Sequence, residues 1–207
     1  IPEAYIADGH HRSSMTALLF ERRKGKKDVH KFEKLLCTFF PASELEIFDY
    51  NRVVDALGDV SVPYLFARLS KIVDIEVMSV AGKPHAKHEM TMMINKEWFS
   101  LRWKPEVLQA WPEEVVLDAS LLDHHVFNQI LGIEDVRTDQ RLKYVEGTRG
   151  LDEFRAIVAK DEQRIGFCLY PVEIEDLIHV ADAGRIMPPK STWFEPRMKN
   201  GLVVYGI

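Results

Sequence analysis

Two apolar runs, Met90-Thr91-Met92-Met93-Ile94 and Trp98-Phe99-Ser100-Leu101-Arg102-Trp103, stand only three polar residues apart. Runs of this length around Asn95-Lys96-Glu97 read as the two strands and the turn of a hairpin. A hairpin commits at least one strand pair to run antiparallel, which rules against a doubly wound parallel sheet. Further strand patterns lie at 45–48, 72–79, 142–145 and 165–170. Helical patterns lie between them at 63–71, 113–131, 150–160 and 172–183. In the longest, Leu117, Leu121, Leu122, Val126, Ile130 and Leu131 form the apolar stripe and Gly132 the stop. Strands are also expected at 5–7, 35–41 and 202–205. The expected fold is α+β, a mixed β-sheet with flanking helices. With no repeat and no linker, 1–207 reads as a single α+β region.

Composition narrows the function. Apolar residues make up 46% and charged residues 29%, the balance of an ordinary globular protein. A net charge of -5 and a pI near 5.9 argue against generic nucleic-acid binding, so DNA is not an expected partner. The two cysteines, Cys37 and Cys168, each lie inside an apolar run, as buried thiols of a reducing compartment would; the expected location is the cytoplasm. No apolar run approaches a membrane span, and no signal peptide is visible. The chain opens with Ile-Pro in place of Met, as a fragment or a processed form would.

The sharpest chemical signal is Asp8-Gly9-His10-His11-Arg12, expected to follow a short strand and to open a helix running through Lys24. Asp8 suits an N-cap, and Gly9 permits a sharp turn. Three basic or titratable side chains in the first helical turn oppose the helix dipole. The opposition disappears if an anion docks there, held by the unpaired backbone N–H groups and by His10, His11 and Arg12. The turn is therefore a candidate phosphate site, weighed against a plain capped helix with surface histidines. Asp8 is the candidate base or Mg²⁺ ligand. His10 and His11 are candidate proton carriers or phosphate donors, Arg12 is a bidentate clamp, and Ser13 is a further donor.

Two other segments qualify as auxiliary donors. Arg52 follows a strand in Tyr50-Asn51-Arg52-Val53-Val54, where a surface salt bridge is an equal reading. Pro188-Pro189-Lys190-Ser191-Thr192 offers one ammonium and two hydroxyls on a stiff segment, without the glycines of a P-loop. His85-Ala86-Lys87-His88-Glu89 reads as a loop. Asp123-His124-His125 falls on the long helix, where adjacent histidines are expected to diverge, so neither segment makes a metal site.

Through the Asp8-Gly9-His10-His11-Arg12 motif the chain resembles the domain of unknown function 1015 family. Matches continue in order at Arg52, at the helix closing on Leu131-Gly132, and at Met187-Pro188-Pro189-Lys190-Ser191-Thr192-Trp193-Phe194. In that family the first motif falls mid-chain, so the resemblance implies the C-terminal half of a longer protein, with the N-terminal half as its partner. The motif is also similar to the phosphate-binding turn of the ParB/sulfiredoxin-like superfamily, which includes CTP-hydrolysing DNA-partition proteins, sulfiredoxin and a free-serine kinase. This implies a bound nucleotide (ATP, ADP or CTP) with Mg²⁺ and phosphotransferase or nucleotidase activity. The alternative is a non-catalytic, DNA-associated module switched by nucleotide. The chain departs from the superfamily in two ways: it shows no helix-turn-helix with a basic face and no cysteine beside the motif.

Overall fold

The structure, a computed structural model, describes residues 3–199 and 201. The strand expected at 202–205 lies outside the described residues. Backbone contacts divide the chain into two compact units. One is continuous, 47–193; the other joins 1–46 to the segment from 194 onward. The sequence, which carries no linker composition at either crossing, reads instead as one region.

In the discontinuous unit, helix α1 spans His10–Arg23 and has no buried residue. Arg22 and Arg23 occupy its last turn, where cations complement the dipole. 3₁₀ turns follow at Val29–Phe32 and Ala42–Glu44, and β1, Glu46–Phe48, begins on the last residue of this stretch and runs into the continuous unit. The segments at 5–7 and 35–41, expected as strands, are irregular. A strand needs a hydrogen-bonded neighbour, and no described strand pairs with either. Leu35, Leu36, Phe39 and Phe40 are exposed in consequence.

The continuous unit contains β2 (Tyr50–Asp55), α2 (Val62–Leu69), β3 (Val73–Met78), β4 (Glu89–Ile94) and β5 (Glu97–Trp103). It continues with α3 (Pro105–Gln109), α4 (Asp118–Leu121), β6 (Leu142–Glu146), α5 (Gly150–Val158), β7 (Arg164–Leu169) and α6 (Ile174–Asp182). A final short strand, β8 (Trp193–Glu195), pairs with β1 apart from the main sheet. Six strands form that sheet in the order β3-β5-β4-β7-β2-β6. Every pairing in it is antiparallel, which corrects the expected mixed sheet. Alternation of strand and helix patterns fixes neighbours in sequence but not strand direction. Here β7 inserts between β4 and β2 and runs opposite to both.

Local chemistry explains the elements. Ser61 caps α2 by accepting the Tyr64 N–H at 3.4 Å, and Pro63 occupies the first turn. The β4–β5 hairpin closes at Ile94↔Glu97, leaving Asn95 (φ 51°) and Lys96 (φ 68°) as a two-residue turn. Both residues are left-handed, the geometry that matches strand twist. The expected turn included Glu97, which instead begins β5.

Side chains alternate across the sheet, and both faces are covered. Val54, Met92, Leu101, Trp103 and Phe167 share one cluster with Leu65 and Leu69 of α2 and with Leu121, Val126 and Phe127. Val53, Met93, Trp98 and Cys168 share the other with Phe154 and Val158 of α5. The helix expected over 113–131 begins only at Asp118 and becomes π-helical over Leu122–Asn128. Its wider turn brings Leu121, Leu122, Val126 and Phe127 all under the sheet, a broader buried face than a regular helix presents. The same widening leaves the His124 and His125 rings 4.7 Å apart, where a regular helix was expected to separate them.

Candidate functional site

The turn before α1 differs from the expected cap in one respect. Gly9, not Asp8, is the N-cap residue, in the left-handed region at φ 85°. Asp8 turns its carboxylate on the loop: Oδ1 accepts the Gly9 N–H at 2.8 Å. No side chain caps the helix, and no acidic residue lies in its first turn. Backbone pairing begins with Ser13, whose N–H donates to the Gly9 carbonyl at 2.9 Å. The N–H groups of His10, His11 and Arg12 have no acceptor within the helix, as the geometry of a helix start requires.

Arg12 folds back over this turn. A side chain at Gly9 would place Cβ 3.3 Å from Arg12 Nη2, and that same nitrogen lies 3.9 Å from Asp8 Oδ2. His10 and His11 are exposed beside it, and Ser13 is half-buried. Six predicted residues, Asp8, Gly9, His10, His11, Arg12 and Ser13, thus share one exposed helix start. The donor set is unsuited to a metal held by protein alone. Asp8 is a single carboxylate facing the Arg12 and Arg197 guanidinium groups, where Mg²⁺ requires several oxygen ligands. Among the described residues no group of three or more His, Cys, Asp or Glu side chains could hold a metal ion.

The remaining predicted residues lie in the other unit and gather around the start of β2. Arg52 is fully buried. It donates from Nη1 to the Tyr50 carbonyl at 2.7 Å and from Nη2 to the Pro189 carbonyl at 3.4 Å, with its guanidinium 4.6 Å from the Tyr144 ring centroid. Arg52 is therefore an internal brace and not the surface donor expected from sequence. Its Nε finds no partner, nor does Asp123 Oδ1. Burial pulls the Arg52 pKa below its ordinary value, against the opposing pull of Asp123. Burial likewise pushes the Asp123 carboxyl up to about 6, with Arg52 resisting. The braced segment is stiffened again where Ser191 Oγ donates to the Pro188 carbonyl at 2.7 Å. Lys190 adopts φ 54°, costly for a side-chain-bearing residue, and carries its ammonium 5.6 Å from the Tyr50 ring centroid. Ser191 is buried and Thr192 half-buried.

Sequence reading missed the polar contacts of the loop before β4. Lys83 Nζ reaches buried Asp49 Oδ1 at 2.8 Å, Lys87 Nζ reaches Asp176 at 2.6 Å, and His88 Nδ1 lies 3.2 Å from Asp118 Oδ1. Three cationic or titratable residues of one loop thus meet carboxylates from three distant parts of the chain. The 85–89 motif carried the signal of a polar loop but not of its partners. Arg197, at 3.6 Å from Asp8 Oδ2, also escaped notice.

This is an antiparallel α+β protein whose first helix starts without a side-chain cap and without an acidic residue in its first turn. Residues 1–124 match the family described as protein of unknown function (DUF1015), and the chain belongs to that family. No curated protein matches the chain. Among solved structures it is similar to a free serine kinase in complex with AMP, at TM-score 0.48 and 16% identity over 91% of this chain and 66% of that one. SbnI from Staphylococcus aureus, solved with a C-terminal truncation, is similar at TM-score 0.46 and 15% identity over 94% and 65%. A conserved hypothetical protein from Pyrococcus furiosus is similar at 0.47 and 16%, over 91% and 68%. The chain thus spans just under two thirds of the free serine kinase and of SbnI. No helix among the described residues is long and apolar enough to cross a membrane.

Proposed function

We propose that the turn at 8–13 binds the phosphate of a nucleotide, ATP, ADP or CTP, or of another phosphorylated small molecule. The observation that carries this reading is the start of α1: left-handed Gly9, no side-chain cap, no acidic residue in the first turn, and His10, His11 and Arg12 where a stability-driven sequence would place carboxylates. Gly9 lets the backbone approach, the first N–H groups and Ser13 donate, and Arg12 clamps. In the phosphotransferase form of the proposal, Asp8 takes the proton of an acceptor hydroxyl while His10 and His11 hold the transferring phosphoryl.

In the continuous unit, Lys190 and Thr192 are proposed as anion donors, with Arg52 and the Ser191–Pro188 hydrogen bond holding their segment in shape. The proposal also covers a ParB/sulfiredoxin-like ancestry for the turn, a cytoplasmic location, and this chain as the C-terminal half of a longer protein.

Thermal unfolding with nucleoside mono-, di- and triphosphates tests the reading. A ligand at a hundred times its Kd adds about 2.7 kcal/mol, and His11→Ala should abolish the gain. Turnover lost in Asp8→Ala with binding retained would support the catalytic form. The absence of any shift with any phosphate compound would reduce the motif to a helix start.

A further inference from the structure

Helix α1 turns its apolar side to solvent. Its half-buried positions are Ser13, Thr16, Phe20 and Arg23, which recur along one face. Met15, Leu18, Leu19 and Arg22 recur along the opposite face, and with Thr16 they line a shallow groove. Met15 is 60% exposed, Leu18 42% and Leu19 37%. A helix that answered only to its own unit would reverse these two faces. No residue of the 8–13 turn lines the groove.

The charge around the groove identifies its occupant. Between residues 21 and 34 stand seven Lys or Arg against three Asp or Glu, in a chain of net charge -5. Lys24 pairs with Glu21 and Arg23 with Asp28. Arg22, Lys26, Lys27, Lys31 and Lys34 are exposed and have no carboxylate partner among the described residues. Arg22 lies in the groove itself, and the lysines follow the end of the helix. A second copy of α1 does not suit this face. Run antiparallel, it sets His10, His11 and Arg12 against Arg22 and Arg23; run parallel, it sets Arg22 against Arg22. A membrane does not suit it either. An interfacial helix carries its cations along the face opposite its apolar stripe, whereas that face of α1 is half-buried and holds one cation, Arg23, already paired.

We propose that this groove receives a helix of a partner protein, one with an apolar stripe of its own and with carboxylates placed to meet Arg22, Lys26 and Lys27. Leu18 and Leu19 supply the contact area. The cations choose the partner and its direction, since charge at the rim of an interface governs specificity more than affinity.

Fluorescence anisotropy with the whole chain tests it, using two synthetic helical peptides that share a Leu stripe and differ only in carrying Glu or Lys beside it. The Glu peptide should bind, and bind less as salt rises; the Lys peptide should not bind. Leu18→Ser with Leu19→Ser should weaken the Glu peptide by about tenfold or more, as the loss of a central apolar contact does. Lys26→Glu with Lys27→Glu should weaken it by about fivefold or more and admit the Lys peptide. Both variants should keep the wild-type melting temperature, since all four side chains are exposed. Equal binding of the two peptides, or binding of neither, would overturn the proposal. Sedimentation with phosphatidylserine vesicles that is lost in the Leu18→Ser, Leu19→Ser variant would make the face a membrane contact instead. A concentration-dependent dimer lost in the same variant would make it a contact between copies.

Discussion

Gly147 carries the most demanding packing constraint in the continuous unit. A Cβ added there would lie 2.1 Å from Asp49 Oδ1, 2.4 Å from its Cγ and 2.7 Å from its Oδ2. A surface carboxylate would swing aside, but this one has no room. Asp49 is 1% exposed, its Oδ1 is held by Lys83 Nζ at 2.8 Å, and its backbone carbonyl accepts the Gly147 N–H at 2.8 Å. Lys83 also donates to the Gly147 carbonyl at 3.2 Å, so one lysine ties both residues. Gly147→Ala must therefore expel the carboxylate from its ion pair or push the backbone hydrogen bond open. Overpacking a core costs about 1–3 kcal/mol, and breaking a buried ion pair about 3–5. The expected loss is about 3–5 kcal/mol, a fall in Tm on the order of 10 °C for a unit of this size. Urea unfolding followed by tryptophan fluorescence measures it. Asp49→Ala removes the obstructing atoms and leaves Lys83 partly exposed, able to turn to water. The double variant should then be more stable than the sum of the singles by about 2 kcal/mol. A Gly147→Ala protein within about 0.5 kcal/mol of wild type, or strict additivity in the double variant, would refute the reasoning.

Three further outcomes are expected. Because burial raises the Asp123 carboxyl to about 6, the folded chain holds more protons than the unfolded one between about pH 4 and 6, so this group's contribution to stability falls as pH rises through that window. Asp123→Asn should flatten the wild-type slope by on the order of 2 kcal/mol between pH 4 and 7 in urea titrations, and an unchanged slope would contradict the assignment. Gly166→Ala should destabilise by about 2–4 kcal/mol in the same assay and loosen α5 in hydrogen exchange, since its Cβ would fall 2.5 Å from both Phe154 Cζ and Val158 Cγ2. Thiol titration at pH 8 should label exposed Cys37 quickly and Cys168 only on unfolding. Cys168 is buried and its thiol is pushed up to about 12, so fast labelling of both sites would contradict its placement.

Legibility in the sequence followed how local the determining physics was. The β4–β5 hairpin could be read because the apolar alternation and the Asn95-Lys96 turn act within a few residues. The helices α1, α2, α5 and α6 could be read because caps and stripes are local too. Strand direction could not, since β7 finds its place between β4 and β2 through packing alone. Residues 35–41 have strand composition, but pairing needs a neighbour that the pattern cannot supply. The π-helical widening at 122–128 answers to the sheet beneath it. At the candidate site, the 8–13 turn was visible because the wrong charges stand in a known position. Arg52 misled because its residue type suggests the surface, and only the fold reveals the carbonyls of Tyr50 and Pro189. Lys83 and Arg197 were hidden because their partners lie far away in sequence.

The discontinuity of the smaller unit sets an order of events during synthesis. Arg197 leaves the ribosome about 190 residues after Asp8. At about 5–20 residues per second, roughly ten to forty seconds pass between them. Through that interval the continuous unit, 47–193, emerges in full and can begin folding. The contact between Asp8 and Arg197 therefore forms only after the whole continuous unit has been made. A ribosome that stopped between residues 193 and 197 would release a protein with its six-stranded sheet complete and Asp8 without Arg197.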